Sequence, residues 1–222
     1  MEVTVVVTSF NRIDLLIKMV DSFERFNTYP IKEFIIIEDS GNKKMCEALK
    51  KLYPHYTLIM NEQNIGLVES IDKAYSQVKT PYVFHSEDDY EYYREGFIER
   101  SLAVLENDPL LMQVWIRRMD DTTDMPVEPE VLKAGDVEYH LIGHCINNWW
   151  HGFCFQCGLR KMFAYNRIKP FTQWSPPTDF LSQRECKIGQ AYYALGYRAA
   201  ILPEGYARHT GFGRSTCGNQ NL

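Results

Sequence analysis

The stretch YVFHSEDDY, residues 82–90, decides the fold that this sequence predicts. It begins as a short apolar strand and runs directly into three consecutive acids, Glu87, Asp88 and Asp89. A buried strand cannot hold three adjacent unpaired carboxylates, because each would cost several kcal/mol. We therefore expect the acids where the strand emerges, at the edge where open α/β sheets bind ligands. Such oxygen donors suit Mg²⁺ or Mn²⁺ and, through the metal, a diphosphate; the alternative is a solvated acidic turn.

Strand and helix patterns alternate four times in the first half of the chain. Apolar runs predict strands at residues 3–7, 34–37 and 57–60, besides the strand at residue 82. Helical spacing predicts helices around residues 16–23, 43–52 and 67–78. Buried strands without polar alternation indicate a parallel sheet covered by helices on both faces. The prediction is an α/β fold with a Rossmann-like, mostly parallel sheet.

The second half gives weaker patterns. We predict helices at residues 94–107 and 185–195, and strands at 113–117, 139–142, 153–158 and 198–202. The composition changes near residue 119 without a flexible linker. We therefore expect one domain with a nucleotide-binding half, residues 1–118, and a second half, residues 119–222.

Composition excludes several classes of protein. The 222 residues are 45% hydrophobic and carry a net charge of -5, which is typical of a globular protein and disfavours nucleic acid as a partner. The sequence shows neither a leader-peptide pattern nor an apolar run of bilayer length, so we expect a cytoplasmic protein with reduced thiols. Cys154 and Cys157 form a lone C-x-x-C, which lacks the second pair that a zinc site needs.

Two common phosphate-binding motifs are missing from the sequence. A dinucleotide-binding G-x-G-x-x-G does not follow the first strand, and a P-loop G-x-x-x-x-G-K-[ST] does not occur. A metal on the acids at 87–89 is the remaining way to neutralise a diphosphate.

Four motifs, in order, resemble the GT-A glycosyltransferases, most closely glycosyltransferase family 2. They are VVVTSFNR at residues 5–12, Glu38-Asp39-Ser40, Asn64-Ile65-Gly66, and Glu87-Asp88-Asp89 in the place of the family's D-x-D. Together they cover about residues 3–92. Glu87 departs from the family pattern, where an Asp is usual.

The resemblance implies a nucleotide site and a metal site. Asp39 would accept a hydrogen bond from uracil or guanine, which implies a UDP- or GDP-sugar donor; the alternative is an aspartate that caps the turn beside Gly41. Asp89 would be the main ligand of Mn²⁺ or Mg²⁺, with Glu87 or Asp88 reaching the ribose or a metal-bound water. The implied nucleotide-binding residues are Thr8, Phe10, Arg12, Asp39, Asn64, Gly66 and Asp88. The alternative for Phe10 is a residue of the core.

The resemblance also implies a catalytic base. Glu185 lies eleven residues before Gly196-Tyr197, where the family carries an E-D pair whose aspartate is the base of inverting members. Such a carboxylate deprotonates the acceptor hydroxyl as it attacks the anomeric carbon. The alternatives are that Glu185 only favours a helix N-terminus, or that Asp179 is the base.

The late loop ARHTGFGRS, residues 207–215, resembles the histidine loop of many GT-A enzymes. There His209 would complete the metal shell, while Arg214 and Ser215 would contact the diphosphate in a lid. The alternative is a C-terminal tail without a role. His85 lies within the acid-tipped strand and is interpreted as a core histidine with satisfied hydrogen bonds.

The sequence therefore predicts a metal-dependent glycosyltransferase. It would move a sugar from a UDP- or GDP-sugar to a hydroxyl acceptor in glycan or polysaccharide synthesis, with inversion implied by the resemblance alone. One alternative is a sugar nucleotidyltransferase, which the missing Gly-rich opening loop disfavours. The other is a non-catalytic nucleotide-sugar-binding module, which the glutamates at 87 and 185 keep open.

Overall fold

The computed structural model of the protein describes residues 1–122, 125–144 and 149–214. Strands and helices alternate through the first half, as the apolar runs predict. The strands are β1 (Val3–Ser9), β2 (Glu33–Glu38), β3 (Thr57–Met60), β4 (Tyr82–Glu87), β5 (Tyr90–Tyr92), β6 (Leu111–Trp115), β7 (Leu132–Ala134), β8 (Val137–Leu141), β9 (Gly158–Lys161), β10 (Arg198–Ile201) and β11 (Ala207–His209). The helices are α1 (Ile13–Phe26), α2 (Lys43–Leu52), α3 (Leu67–Tyr75), α4 (Phe97–Asn107), α5 (Met162–Ile168) and α6 (Leu181–Ala194), with a 3₁₀ turn at Phe171–Trp174.

Nine strands form one sheet in the order β3-β2-β1-β4-β9-β6-β10-β8-β7. Neighbours β3, β2, β1 and β4 are parallel, and so are β6 and β10. Strand β9 is antiparallel to both β4 and β6, between which it lies. Strands β5 and β11 form a separate antiparallel ribbon. The predicted α/β fold with a mostly parallel central sheet is confirmed.

The sheet has an apolar layer on each face. All seven residues of β1 are buried. Its odd positions Val5 and Val7 pack into the core cluster on one face of the sheet, whereas Val6 packs into the core cluster on the other face. Alternate side chains of a strand point to opposite faces, so a continuous β-branched run is the sequence that a doubly covered strand requires.

Three differences from the predicted elements concern the site. The strand predicted at 153–158 is wrong, because the strand in this region is β9, which begins at Gly158. Helix α4 begins at Phe97, because Gly96 has the left-handed φ of 84° that ends the preceding segment. Residues 207–209, predicted as part of the late loop, form β11 on β5. Short strands of three residues have too little periodicity to be predicted from sequence.

His85 is in the core, as predicted, but its predicted hydrogen bonding is wrong. It is fully buried in β4, and neither ring nitrogen has a hydrogen-bond partner in the part of the chain that the structure describes. Burial, and next the charge of Arg160, hold the pKa of His85 well below its usual range. The imidazole is therefore neutral. Separately, among the described residues, no helix is long and apolar enough to cross a membrane.

Gly158 is required where β9 passes between two parallel strands. A Cβ built there would lie 2.2 Å from the carbonyl oxygen of Val114, a backbone atom that cannot rotate away. We expect Gly158→Ala to lower the free energy of unfolding by about 2–3 kcal/mol through overpacking. Urea unfolding followed by circular dichroism measures it.

Gly189→Ala is the matched control. Its Cβ would meet only ordinary contacts, 3.4 Å from the Phe153 side chain, within helix α6. Because alanine has the higher helix propensity, this variant should be as stable as the wild type or slightly more stable. Equal unfolding midpoints for the two variants would contradict the proposed role of Gly158.

Candidate functional site

The acidic residues lie at the carboxyl edge of the parallel strands. Strand β4 ends at Glu87, and Asp88 and Asp89 form the turn into β5. Strand β2, two places away in the sheet, ends at Glu38. The loop after β1 lies between them and carries Phe10 and Arg12. The edge predicted from the acid-tipped strands is therefore present, with acids from two strands around one loop.

Arg12 pairs with two of these acids. Its Nη1 lies 2.8 Å from Asp89 Oδ2, and its Nη2 and Nε contact both oxygens of Asp88. Asp88 also accepts from the Ser9 hydroxyl at 3.0 Å and the Phe10 backbone N–H at 3.3 Å. Burial nevertheless outweighs the charge of Arg12 and raises the pKa of Asp88 to about 6. Asp88 therefore fixes the loop after β1, and its predicted role toward the nucleotide stays a prediction.

Asp89 joins the acidic turn to the late loop. Its Oδ2 lies 3.2 Å from His209 Nε2, and its backbone oxygen accepts from the Thr210 N–H at 2.7 Å. Burial opposes ionisation, but the hydrogen bond from His209 and the charge of Arg12 outweigh it and lower the pKa of Asp89. The loop approaches so closely that a Cβ at Gly211 would lie 2.2 Å from Asp89 Oδ2. The structure thus brings Asp89 and His209 together, as the resemblance implied.

The late loop is also tied to the first loop and to α1. Both Nη atoms of Arg214 bond the carboxylate of Asp14, at 2.7 and 3.0 Å. Arg12 Nη1 donates to the backbone oxygen of Arg214 at 3.2 Å. Arg214 therefore lies beside the acids with a carboxylate partner of its own. Ser215, the other predicted lid residue, lies outside the described residues.

A divalent cation fits part of this arrangement. Asp89 Oδ1 is buried and has no hydrogen-bond partner among the described residues, while His209 is the adjacent nitrogen donor. In that part of the chain no three His, Cys, Asp or Glu side chains are close enough to hold a metal, so Glu87 does not complete a protein triad with them. Mg²⁺ is commonly held by one or two carboxylates plus substrate phosphates, and an incomplete protein shell suits such a metal.

The surroundings of Glu87 disfavour the ionised form of its carboxylate. Burial is the largest influence on it, and the negative charges of Asp89, Glu185 and Asp88 act in the same direction. Together they raise the pKa of Glu87 well above its ordinary value. An added cation nearby would relieve this repulsion, since an opposite charge favours the ionised form.

Asp39 organises the N-x-G loop. Its Oδ1 accepts from Asn61 Nδ2 at 2.7 Å and from the Ile65 N–H at 2.9 Å, and its Oδ2 accepts from the Gly66 N–H at 2.9 Å. Asn64 Oδ1 also accepts from that N–H. The predicted residues Asp39 and Asn64 therefore both accept from the N–H of the third, Gly66. Asp39 is mostly occupied by the protein itself, although a carboxylate has lone pairs to accept one donor more.

Glu38 is a site residue that the sequence reasoning missed. It is fully buried at the end of β2, and it accepts from the Asn11 N–H at 2.7 Å and the Ser40 N–H at 3.0 Å. It thereby joins the loops after β1 and β2. The signal was present, because Glu38 directly precedes Asp39, but two adjacent acids at a strand end do not show which of them turns inward.

Thr8 and Phe10 flank the same loop. Thr8 is buried at the end of β1, and its Oγ1 has no hydrogen-bond partner within the described ranges. Phe10 is only half-buried and belongs to neither core cluster. Phe10 is thus available to a ligand, which disfavours the alternative that it is a core residue.

Glu185 faces the acidic edge from α6. Its Oε1 accepts from the Phe155 backbone N–H at 2.7 Å. Burial raises its pKa to about 7, against the lowering by that N–H and by the charge of Arg160. Its charge also acts on Glu87, so the two carboxylates share one region. Glu185 is therefore not merely an acid near a helix N-terminus, since its partner is a loop from another part of the chain.

Asp179, the rival base, has a different environment. It accepts from Lys187 Nζ at 2.6 Å and also from the Ser175 hydroxyl. These hydrogen bonds, first from Lys187 and then from Ser175, lower the pKa of Asp179. A carboxylate with a lowered pKa and an ammonium partner is a weak base at neutral pH.

Comparison with solved structures places this fold among known enzymes. The mannosyltransferase PcManGT from Pyrobaculum calidifontis, in complex with GDP-Man and Mn²⁺, is 16% identical with a TM-score of 0.69 over 96% of this chain and 58% of that one. S. aureus TarS 1-349 in complex with UDP-GlcNAc is 13% identical with a TM-score of 0.64 over 97% of this chain and 62% of that one. The chain thus spans about three-fifths of these proteins' length. At such identities the likeness shows the fold alone, and the predicted GT-A fold is confirmed.

The search of curated proteins found no match to this sequence. Residues 4–169, more than half of the chain, match the family described as Glycosyl transferase family 2. This match runs from β1 through α5 and includes the acids at the ends of β2 and β4. The chain therefore belongs to glycosyl transferase family 2.

Proposed function

We propose that this protein is a metal-dependent glycosyltransferase that moves a sugar from a nucleotide-sugar to a hydroxyl of a glycan or related acceptor. The observation that carries the proposal is a pair of carboxylates with opposite environments at one sheet edge. The pKa of Asp89 is lowered, which suits a permanently charged ligand, whereas the pKa of Glu185 is raised to about 7, which suits a base. Such divergent environments separate the roles of neighbouring acids in many active sites.

The donor would bind over the loops after β1 and β2. Asp39 and the half-buried Phe10 line this region, and the Gly66 loop closes its side. Two structural neighbours are solved with GDP-Man and with UDP-GlcNAc, so we propose a GDP- or UDP-sugar as the donor. A guanine or uracil N–H would donate to the remaining lone pair of Asp39.

Asp89 and His209 would hold the divalent cation, Mn²⁺ or Mg²⁺. Support comes from the unpartnered Asp89 Oδ1 and from Mn²⁺ in the PcManGT structure. When bound, the cation would offset the charge of the donor diphosphate. Arg12 and Arg214, already beside these acids, would place further positive charge where the leaving group develops its negative charge.

Glu185 would act as the general base. Its carboxylate would take the proton of the acceptor hydroxyl while that oxygen forms a bond to the anomeric carbon. The bond from that carbon to the diphosphate oxygen would break, and the nucleoside diphosphate would leave with the electron pair. A single displacement of this kind inverts the anomeric configuration.

Asp89→Asn tests the metal site. Mn²⁺ with GDP or UDP should raise the thermal unfolding temperature of the wild type, because a ligand of the folded state stabilises it. The same mixture should not raise that of Asp89→Asn. Differential scanning fluorimetry measures both, with Glu91→Gln as control, since Glu91 lies in the same ribbon but forms an exposed pair with Arg208. Equal Mn²⁺-dependent shifts in Asp89→Asn and the wild type would refute the metal role of Asp89.

Glu185→Gln tests the base. It should lower kcat for nucleotide-sugar hydrolysis by about 10²–10⁴-fold and leave donor affinity unchanged. In the wild type, kcat should rise with pH up to about 7, because the carboxylate must be ionised to accept a proton. Asp179→Asn is the control and should keep kcat within a few-fold. A large loss in Asp179→Asn with an active Glu185→Gln would reverse the assignment.

A further inference from the structure

The base carboxylate of Glu185 is held by one peptide group. Its Oε1 accepts from the N–H of Phe155, at 2.7 Å. That N–H and the carbonyl of Cys154 belong to the same planar peptide and point in opposite directions. A donor to the Cys154 oxygen therefore acts on the same peptide group whose N–H bonds the Glu185 carboxylate.

Two buried donors converge on that oxygen. Arg160 Nη2 lies 2.8 Å from it, and Gln113 Nε2 lies 3.1 Å from it. The same Nη2 donates to the Gln156 oxygen at 3.0 Å. Arg160 thus donates to the carbonyl oxygens of Cys154 and Gln156, the residues on either side of Phe155. The residues come from β9 and β6, so the central sheet itself fixes this segment.

Arg160 is unusual because its charge is not paired locally. It is only 4% exposed and forms no ion pair within the part of the chain that the structure describes. Its guanidinium lies over the rings of Phe153 and Phe155 and donates to the Tyr75 hydroxyl at 2.7 Å. A buried cation without an ion-pair partner among the described residues is costly, which indicates a functional reason for keeping it.

We propose that Arg160 and Gln113 are positioning residues, which polarise the Cys154–Phe155 peptide so that its N–H orients the Glu185 carboxylate and keeps it ionised. Hydrogen bonds in a chain strengthen one another inside a protein, so a cationic donor on the carbonyl makes the N–H a better donor. The inference rests on the proposed role of Glu185 as base. It extends that role to two residues that do not touch the reacting atoms.

Titratable groups on several elements packed around Glu185 act on its carboxylate. Arg160 on β9 favours its ionised form, whereas Glu87 at the end of β4 repels it, and Cys154 interacts with it from the preceding loop. Removing Arg160 therefore takes away the cation that opposes burial. The expected direction is a higher pKa for Glu185.

The test compares Gln113→Met, Arg160→Lys and Arg160→Met with the wild type. The pH dependence of kcat for UDP-GlcNAc and GDP-mannose hydrolysis should move to higher pH, by about one unit in Arg160→Met, which is a tenfold change in the proton dissociation constant. Gln113→Met and Arg160→Lys should move it less, in the same direction, with KM for the donor unchanged. Tyr75→Phe is the control, because it removes a contact of Arg160 away from the peptide, and it should leave the profile in place.

A second measurement needs no activity. Each variant is paired with its Glu185→Gln derivative, and their unfolding temperatures are compared from pH 5 to 9. A carboxyl group whose pKa is raised by folding binds more protons in the folded state, so its contribution to stability falls as pH rises to the folded pKa. In the wild type this fall should end near pH 7, and in the Arg160 and Gln113 variants at higher pH.

The outcomes separate the two proposals. Suppose that the wild type hydrolyses neither donor but the pH at which stability stops falling is higher in the variants. Then the action of Arg160 and Gln113 on Glu185 through the Cys154–Phe155 peptide stands, and the proposed transferase activity with these donors fails. If hydrolysis is found and neither measurement shifts in any variant, Arg160 and Gln113 only support the fold and the inference is overturned. If Arg160→Met does not fold, Gln113→Met and Arg160→Lys test the positioning role by the same criteria.

Discussion

The electrostatic balance at the end of β4 is the constraint on which the site depends. Three consecutive carboxylates emerge there, and Arg12 is the cation that contacts two of them. Because Arg12 also bonds the Arg214 backbone oxygen, one guanidinium joins the first loop, the acidic turn and the late loop. A buried charge without its partner costs several kcal/mol, so these three segments are fixed as one unit. This balance leaves one buried oxygen of Asp89 without a hydrogen-bond partner among the described residues.

The surroundings of Glu185 are held by different means. There the segment before β9 is buried, and its backbone N–H at Phe155 donates to Glu185. Arg160 and Gln113 reach it from neighbouring strands of the sheet. The acidic edge and the surroundings of Glu185 thus have separate supports, one a salt-bridged set of loops and the other a polar network within the core. This separation explains how Glu185, whose pKa is raised, and Asp89, whose pKa is lowered, coexist at one edge.

Much of the acidic edge was predictable from sequence, because strand ends and acids are local features. The strands at Thr57–Met60 and before the acidic turn, and the helix Lys43–Leu52, follow from apolar runs and helical spacing. The second half of the chain was less predictable. Residues 153–157 are as apolar as a strand but are not one, since burial alone does not decide whether an apolar segment joins a sheet. Nor does sequence show that β9 lies between β4 and β6, which is a long-range choice.

The sequence by itself determined the alternation of elements, the edge at which the acids gather, and the family. These are set by periodicity, by the cost of burying charge, and by motifs at strand ends. Only the tertiary structure decided which oxygen each acid leaves free. Asp39 and Asp88 look equally available in sequence, yet the Gly66 loop and Arg12 occupy them, and Asp89 alone of these three keeps a buried oxygen unpartnered among the described residues. The reason is physical: hydrogen-bond partners come from segments distant in the chain, and only folding brings them within bonding distance.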